Sequence, residues 1–141
     1  MKKTVVFTLG TSNRKIEEFC QILKEFKITL VADIRRWPKS KFPWFEKENL
    51  KKTLKKEKIK YFHFEKLGGY RGGYEKYMKT KEFKKAFQKL KNLCQKEKVA
   101  IVCAEKFPWR CHRRFVAEAL KREGFLVIHI IEKDKIWQKK K

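Results

Sequence analysis

The residues most able to do chemistry lie in one short stretch, Cys103-Ala104-Glu105-Lys106-Phe107-Pro108-Trp109-Arg110-Cys111-His112-Arg113-Arg114. Two thiols, an imidazole, a carboxylate and several guanidinium groups share a single connection. The pattern places Cys103 at the carboxyl tip of a buried strand, with Cys111 and His112 in the first turn of the following helix. A thiol at a helix N-terminus flanked by arginines has a lowered pKa and becomes partly thiolate near neutrality. Four uses remain open. Cys103 or Cys111 can serve as a nucleophilic or redox thiol, with Arg110 or Arg113 holding an oxyanion. Cys103, Cys111 and His112 can bind a metal with His63 or His129, although Cys-x7-Cys-His is no established zinc spacing, so neither metal nor cofactor is expected. The thiols can simply pack in the core, with His112 as a polar neighbour. Glu105 can also pair with Asp33 as a carboxylate acid and base.

The arginines add a second pattern. Of eight, Arg14, Arg35, Arg36, Arg71, Arg110, Arg113 and Arg114 follow expected strands, whereas Arg122 closes a helix. Guanidinium groups suit forked recognition of phosphate or carboxylate in a way that lysine does not. The turn Gly10-Thr11-Ser12-Asn13 adds backbone N–H groups and a hydroxyl where an anion can sit. The expected anion-binding set is therefore Ser12, Asn13, Arg14, Arg35, Arg71, Arg110 and Arg113. Aromatic residues share these loops: Trp37, Phe42, Trp44, Tyr70, Tyr74, Phe107 and Trp109. Beside arginine they can stack on bases, or they can fill a small apolar lid.

Positioning these groups requires a folded core, and the composition supplies one. The 141 residues suit one domain, and 42% are hydrophobic despite 39% charge. Short apolar runs alternate with helical patterns. Strands are expected at 4–9, 28–34, 59–64, 99–104 and 125–131. Helices are expected at 15–26, with Ser12 or Asn13 as cap, at 45–57, at 75–97 with a break near Lys79-Thr80, and at 109–123, stopped by Gly124. Pro38 and Pro43 exclude regular structure from the loop at 35–44. The glycine-rich loop at 68–73 can close over a ligand or let backbone approach it. Five buried strands separated by helices predict a single-domain α/β fold, a doubly wound, mainly parallel five-stranded sheet with helices on both faces. The domain is expected to span 1–134, with 135–141 as a basic tail. Ligands in such sheets bind beyond the carboxyl ends of the strands.

The formal charge of +23 points towards a polyanionic partner, a phosphate-bearing small molecule or nucleic acid. Against this, lysine far outnumbers arginine, and Lys- and Glu-rich surfaces are also a mark of heat adaptation. Cys20 and Cys94 fall on apolar helical stripes and read as core, which fits a reducing compartment. No apolar run approaches the roughly 20 residues of a membrane span, and no secretory leader pattern opens the chain, so no membrane association and a cytoplasmic location are expected.

Five motifs in order resemble the domain of unknown function 488 family. They are Thr8-Leu9-Gly10-Thr11-Ser12-Asn13-Arg14, Val31-Ala32-Asp33-Ile34-Arg35 with Pro38, Leu67-Gly68-Gly69, Cys103-Ala104-Glu105, and Trp109-Arg110-Cys111-His112-Arg113. The likeness runs from about residue 4 to 131 and implies a small intracellular α/β domain. It brings no settled activity with it. The family's first motif more usually carries His before the Ser; Thr11 stands there in this chain. Three functions follow as expectations: an enzyme acting on a nucleotide or other phosphate-bearing substrate, a non-catalytic nucleic-acid-binding module, or a thiol, redox or sulfur-handling protein using Cys103 and Cys111.

Overall fold

The computed structural model describes residues 4–36, 40–68 and 73–138, with Arg110 described by its backbone alone. Its elements alternate as the apolar pattern requires. They are β1 (Val5–Gly10), α1 (Ile16–Glu25), β2 (Leu30–Asp33), α2 (Lys47–Lys56), β3 (Lys60–His63), α3 (Tyr74–Tyr77), α4 (Lys81–Lys96), β4 (Val99–Cys103), α5 (Arg113–Arg122), β5 (Leu126–Glu132) and β6 (Lys135–Trp137). The strands form one sheet in the order β3-β2-β4-β1-β5-β6. The first five are parallel, and β6 runs antiparallel to β5.

Burial explains that order. β2 and β4 are buried at every position and occupy the interior of the sheet. β3 lies on one edge, with Lys60 and Phe62 exposed and Tyr61 and His63 half-buried. The sequence pattern does not reveal β6. Lys135-Ile136-Trp137 looks like the start of a polar tail, but the turn at Lys133–Asp134 folds it back onto β5, making six strands rather than five. Lys135–Trp137, expected in the basic tail, thus belong to the sheet.

The apolar side chains form two cores. One joins Phe19, Ile22 and Leu23 of α1 and Leu50 and Leu54 of α2 to Leu9, Val31, Ala100 and Val102 of the strands. The other joins Leu90 and Cys94 of α4 and Val116, Ala117 and Leu120 of α5 to Val6, Leu30, Ile101 and Val127. Alternate residues of one strand, such as Ala100 and Ile101, thus serve opposite cores. Cys20 and Cys94 are buried, as their stripes predict. Burial pushes the Cys94 thiol up to about 12.

Local boundaries differ where backbone context prevails. Lys15, in extended conformation and with no side-chain cap, precedes α1; neither Ser12 nor Asn13 does. Pro43 begins a 3-10 turn through Phe45, because its fixed φ suits a first helical position. Thr80 breaks the expected long helix and caps α4 by accepting the Phe83 N–H at 3.2 Å. Gly124 takes φ +97° just past α5, the left-handed stop its position predicts.

Candidate functional site

The carboxyl ends of β1, β2 and β4 meet where the sequence motifs cluster. Beyond β4 the chain crosses directly over the end of β1. Thr11 N–H donates to the Cys103 carbonyl at 2.7 Å and Ser12 N–H to the Ala104 carbonyl at 2.8 Å. A Cβ on Gly10 would stand 1.9 Å from the Glu105 oxygen, so only glycine permits this crossing. The same contacts consume two of the N–H groups that the turn was expected to offer an anion, those of Thr11 and Ser12. Ser12 is half-buried and Asn13 is exposed.

The expected convergence of arginines on one open cavity is not met by three of its members. Arg14 is buried, donating to the carbonyls of Gly10 (2.9 Å) and Ile131 (2.6 Å) and pairing with Glu18 and Glu132. Arg35 is buried in a forked pair with Asp33, through Nε to Oδ1 at 2.9 Å and Nη2 to Oδ2 at 2.8 Å. Its Nη1 donates to the Phe45 carbonyl at 2.7 Å. Arg113 is wholly buried beneath the crossing chain. Arg71, with the rest of the loop at 69–72, and the Arg110 side chain lie outside the described residues, as do Trp37 and Pro38.

Asp33 is likewise committed. Besides Arg35, it accepts the Tyr61 hydroxyl at 2.5 Å and the Arg35 backbone N–H at 3.1 Å, and it is fully buried. Burial and the adjoining carboxylate raise the Tyr61 pKa. Glu105 carries an exposed side chain and meets Arg113 through its backbone carbonyl. The expected Asp33–Glu105 acid–base pair therefore has no free member at Asp33. His63 bonds the Arg35 carbonyl through Nε2, and His129 bonds Thr8 through Nδ1, so both imidazoles have partners away from the thiols. Among the described residues, no cluster of three His, Cys, Asp or Glu side chains can hold a metal.

What the fold does bring together is the cysteine pair. Cys103 Sγ and Cys111 Sγ lie 2.6 Å apart as free thiols. Cys111 sits just before α5 rather than in its first turn, after a 3-10 turn at Pro108–Arg110, and its sulfur accepts the Arg113 N–H at 3.4 Å. The Arg113 side chain folds back from the start of α5. Its Nη1 donates to Cys103 Sγ at 3.2 Å and to the Glu105 carbonyl at 2.7 Å, and its Nη2 donates to the Lys106 carbonyl at 2.9 Å. It meets no carboxylate among the described residues, and its Nε is buried without a partner.

A wholly buried cation demands a counter-charge, and the one ionisable group that the Arg113 guanidinium contacts among the described residues is Cys103. Burial alone would push that thiol up. The Cys111 hydrogen bond, the Arg113 charge and the backbone hydrogen bond at Glu105 outweigh burial and bring it from the ordinary 9.0 down to about 7. Cys111 moves the opposite way, raised by its hydrogen bond to Cys103 and by burial, so it holds its proton. Burial and Arg113 lower the His112 pKa, while its bond to Ile34 opposes them. The resulting neutral ring donates from Nε2 to the Ile34 carbonyl at 3.3 Å, leaving Nδ1 as an acceptor 3.7 Å from Cys111 Sγ. Tyr74 packs edge-on against it, with ring centroids 5.4 Å apart.

Two contributions escape the sequence reading. Tyr61 completes the Asp33–Arg35 unit from β3, where nothing in its local pattern marks it. Gly68 admits the Arg36 backbone, which a Cβ would approach to 2.5 Å; the glycine-rich motif was the visible sign of a close contact, but not of its partner.

The molecule is thus an α/β domain with a mostly parallel sheet, carrying an arginine-backed thiol pair at its strand ends. The sequence model described as "Domain of unknown function DUF488" matches residues 15–120, and the chain belongs to that family. Searches among curated proteins and among solved structures find no match.

Proposed function

We propose that the protein carries out thiol–disulfide exchange through Cys103 and Cys111, with a small-molecule or protein disulfide as substrate. One observation carries this reading: among the described residues, the buried Arg113 guanidinium has a sulfur, and no carboxylate, as its ionisable neighbour. The resting pair is a Cys103 thiolate and a Cys111 thiol. Cys111 is the less buried of the two, 8% exposed against 1%. Its sulfur attacks one sulfur of R–S–S–R′ as its proton passes to Cys103 across 2.6 Å, and R′S⁻ departs. Cys103 then gives up that proton and attacks Cys111 in the mixed disulfide. RS⁻ leaves and takes the proton. Two electrons have moved from protein to substrate, giving a Cys103–Cys111 disulfide, RSH and R′S⁻.

The same charge sets the direction of the chemistry. Oxidation removes the thiolate and leaves Arg113 buried without its counter-charge, so the dithiol form is favoured and the disulfide is a strong oxidant. Equilibration in glutathione redox buffers, followed by alkylation and mass measurement, tests this. The expected result is a reversible disulfide between these two residues, far more oxidising than the roughly −300 mV typical of structural disulfides. Iodoacetamide labelling of the folded protein should give a thiolate midpoint near 7 at Cys103. A pair that stays reduced throughout the glutathione range, with no thiolate below pH 9, would exclude the reading.

A further inference from the structure

A separate cavity of about 300 Å³ lies between the exposed side of α5 and the β5–β6 edge. That volume is at the small end of ligand pockets, which run from roughly 300 to 1,000 Å³. Its walls are aromatic. Trp109, 44% exposed, meets Trp137 edge-to-face at 5.3 Å and stacks on Phe107 at 5.0 Å. Trp137 in turn lies 5.4 Å from the His129 ring. The thiol pair does not line this cavity.

Its polar groups are few, and on the aromatic walls they are donors. Neither indole N–H has a partner among the described residues. His129 is buried and lines the cavity, with Nδ1 held by the buried Thr8 hydroxyl at 2.6 Å. Thr8 satisfies its own O–H by donating to Nδ1, which leaves the proton of the neutral ring on Nε2. Nε2 has no partner among the described residues, and His129 lines the cavity, so its N–H is available there. Arg114 stands exposed at the rim. Its Nη1 is held by the Trp109 carbonyl at 2.6 Å, its plane lies over Phe115 at 4.8 Å, and its Nη2 has no partner among the described residues. Lys121 and Glu118 complete the rim as a 3.9 Å pair.

Aromatic faces, N–H donors and one anchored guanidinium describe the complement of a flat heteroaromatic ring with acceptor atoms and an attached anion. We propose that this cavity binds a nucleobase bearing a phosphate, stacked on Trp109 beside Trp137, with Arg114 on the phosphate. The same chemistry comes from a free mononucleotide or from the end of a single strand. The net charge of +23 favours either, while the small volume admits one base.

Binding of adenosine monophosphate and of a short labelled oligoadenylate should be titrated at about 0.2 M salt or above, where non-specific phosphate attraction is weakened. Trp109→Ala should weaken binding of at least one probe by roughly 10-fold or more, since stacking on an aromatic side chain has effects of that size. Trp109→Phe should retain most of the affinity. Arg114→Ala should weaken binding several-fold, whereas Lys52→Ala, an exposed α2 control of equal charge loss, should change it less than about twofold. A mononucleotide bound as tightly as the oligonucleotide identifies the free nucleotide as ligand; a much tighter oligonucleotide with the same Trp109 dependence identifies the strand end. The proposal fails if neither probe binds. It also fails if Trp109→Ala costs no more than Lys52→Ala, or if inorganic phosphate displaces the probe as well as unlabelled nucleotide does. These outcomes are read in fully reduced protein and are independent of thiol exchange.

Discussion

Arg35 and Arg113 are both buried at the carboxyl end of the same sheet, yet they do opposite things. Arg35 faces Asp33, two residues away, and a forked pair with Tyr61 alongside closes the unit electrically. Every strong group there has its partner, and none is left to react. Arg113 has backbone carbonyls for hydrogen bonding but, among the described residues, no carboxylate for charge. Its field falls on Cys103, whose pKa the Cys111 hydrogen bond and the Arg113 charge together lower against burial. A buried arginine is structural or chemical according to whether its counter-charge is permanent or must be made by ionising a neighbour.

The sharpest way to break this comparison is to remove the permanent counter-charge. Asp33→Ala leaves Arg35 buried and unpaired and should cost about 3–5 kcal/mol, read from urea unfolding midpoints. The next effect lies in the pH dependence of stability. The Cys103 pKa is about 7 in the fold and 9.0 ordinarily, so between these values the unfolded chain binds more protons than the folded one. The contribution of Cys103 to stability therefore grows as the pH rises from 7 towards 9, and it is lost as the pH falls through 7. As the pH nears 9 the overall trend reverses, because the raised pKa values of Cys111, Cys20 and Cys94 keep these thiols neutral in the fold while the unfolded thiols ionise. Cys103→Ser should flatten the rising limb, and a limb unchanged by that substitution would refute the assignment.

Arg113→Met sharpens the contrast from the other side. It deletes the buried cation and its two bonds to backbone carbonyls, at a cost of about 1–3 kcal/mol, and should move the Cys103 alkylation midpoint back towards 9. The Cys103–Cys111 disulfide should become harder to reduce. Arg35→Met, measured alongside, should leave the alkylation midpoint where it was. A steric perturbation of the same loop is Gly10→Ala, whose new Cβ would stand 1.9 Å from the Glu105 carbonyl oxygen. The crossing backbone must move, at a cost of about 3 kcal/mol or more, while the Cys103 midpoint should shift by less than Arg113→Met shifts it. Thermal melts and iodoacetamide labelling check both effects.

Much of this was legible beforehand because short-range chemistry writes itself into periodicity. The apolar runs give β1, β2, β4 and β5; the stripes give α1, α4 and α5; Gly124 gives a helix end. Cys103, Cys111, His112 and Arg113 stand out because they lie within one connection. β6 was hidden, since three residues of mixed polarity become a strand only when β5 offers an unpaired edge. Arg14 and Arg35 misled for a related reason. A guanidinium after a strand looks free until the chain that bonds it, Ile131 or Phe45, is brought beside it.

The order of residues alone determined an α/β chain, the membership of its thiols in one loop, and an excess of positive charge, because each depends on neighbours close along the backbone or on composition. Which arginine acquires a carboxylate, which sulfur ionises, and which tryptophans share a wall were decided by the tertiary structure. Charge compensation and desolvation act through space over a few ångströms, and only the fold determines which groups are that close.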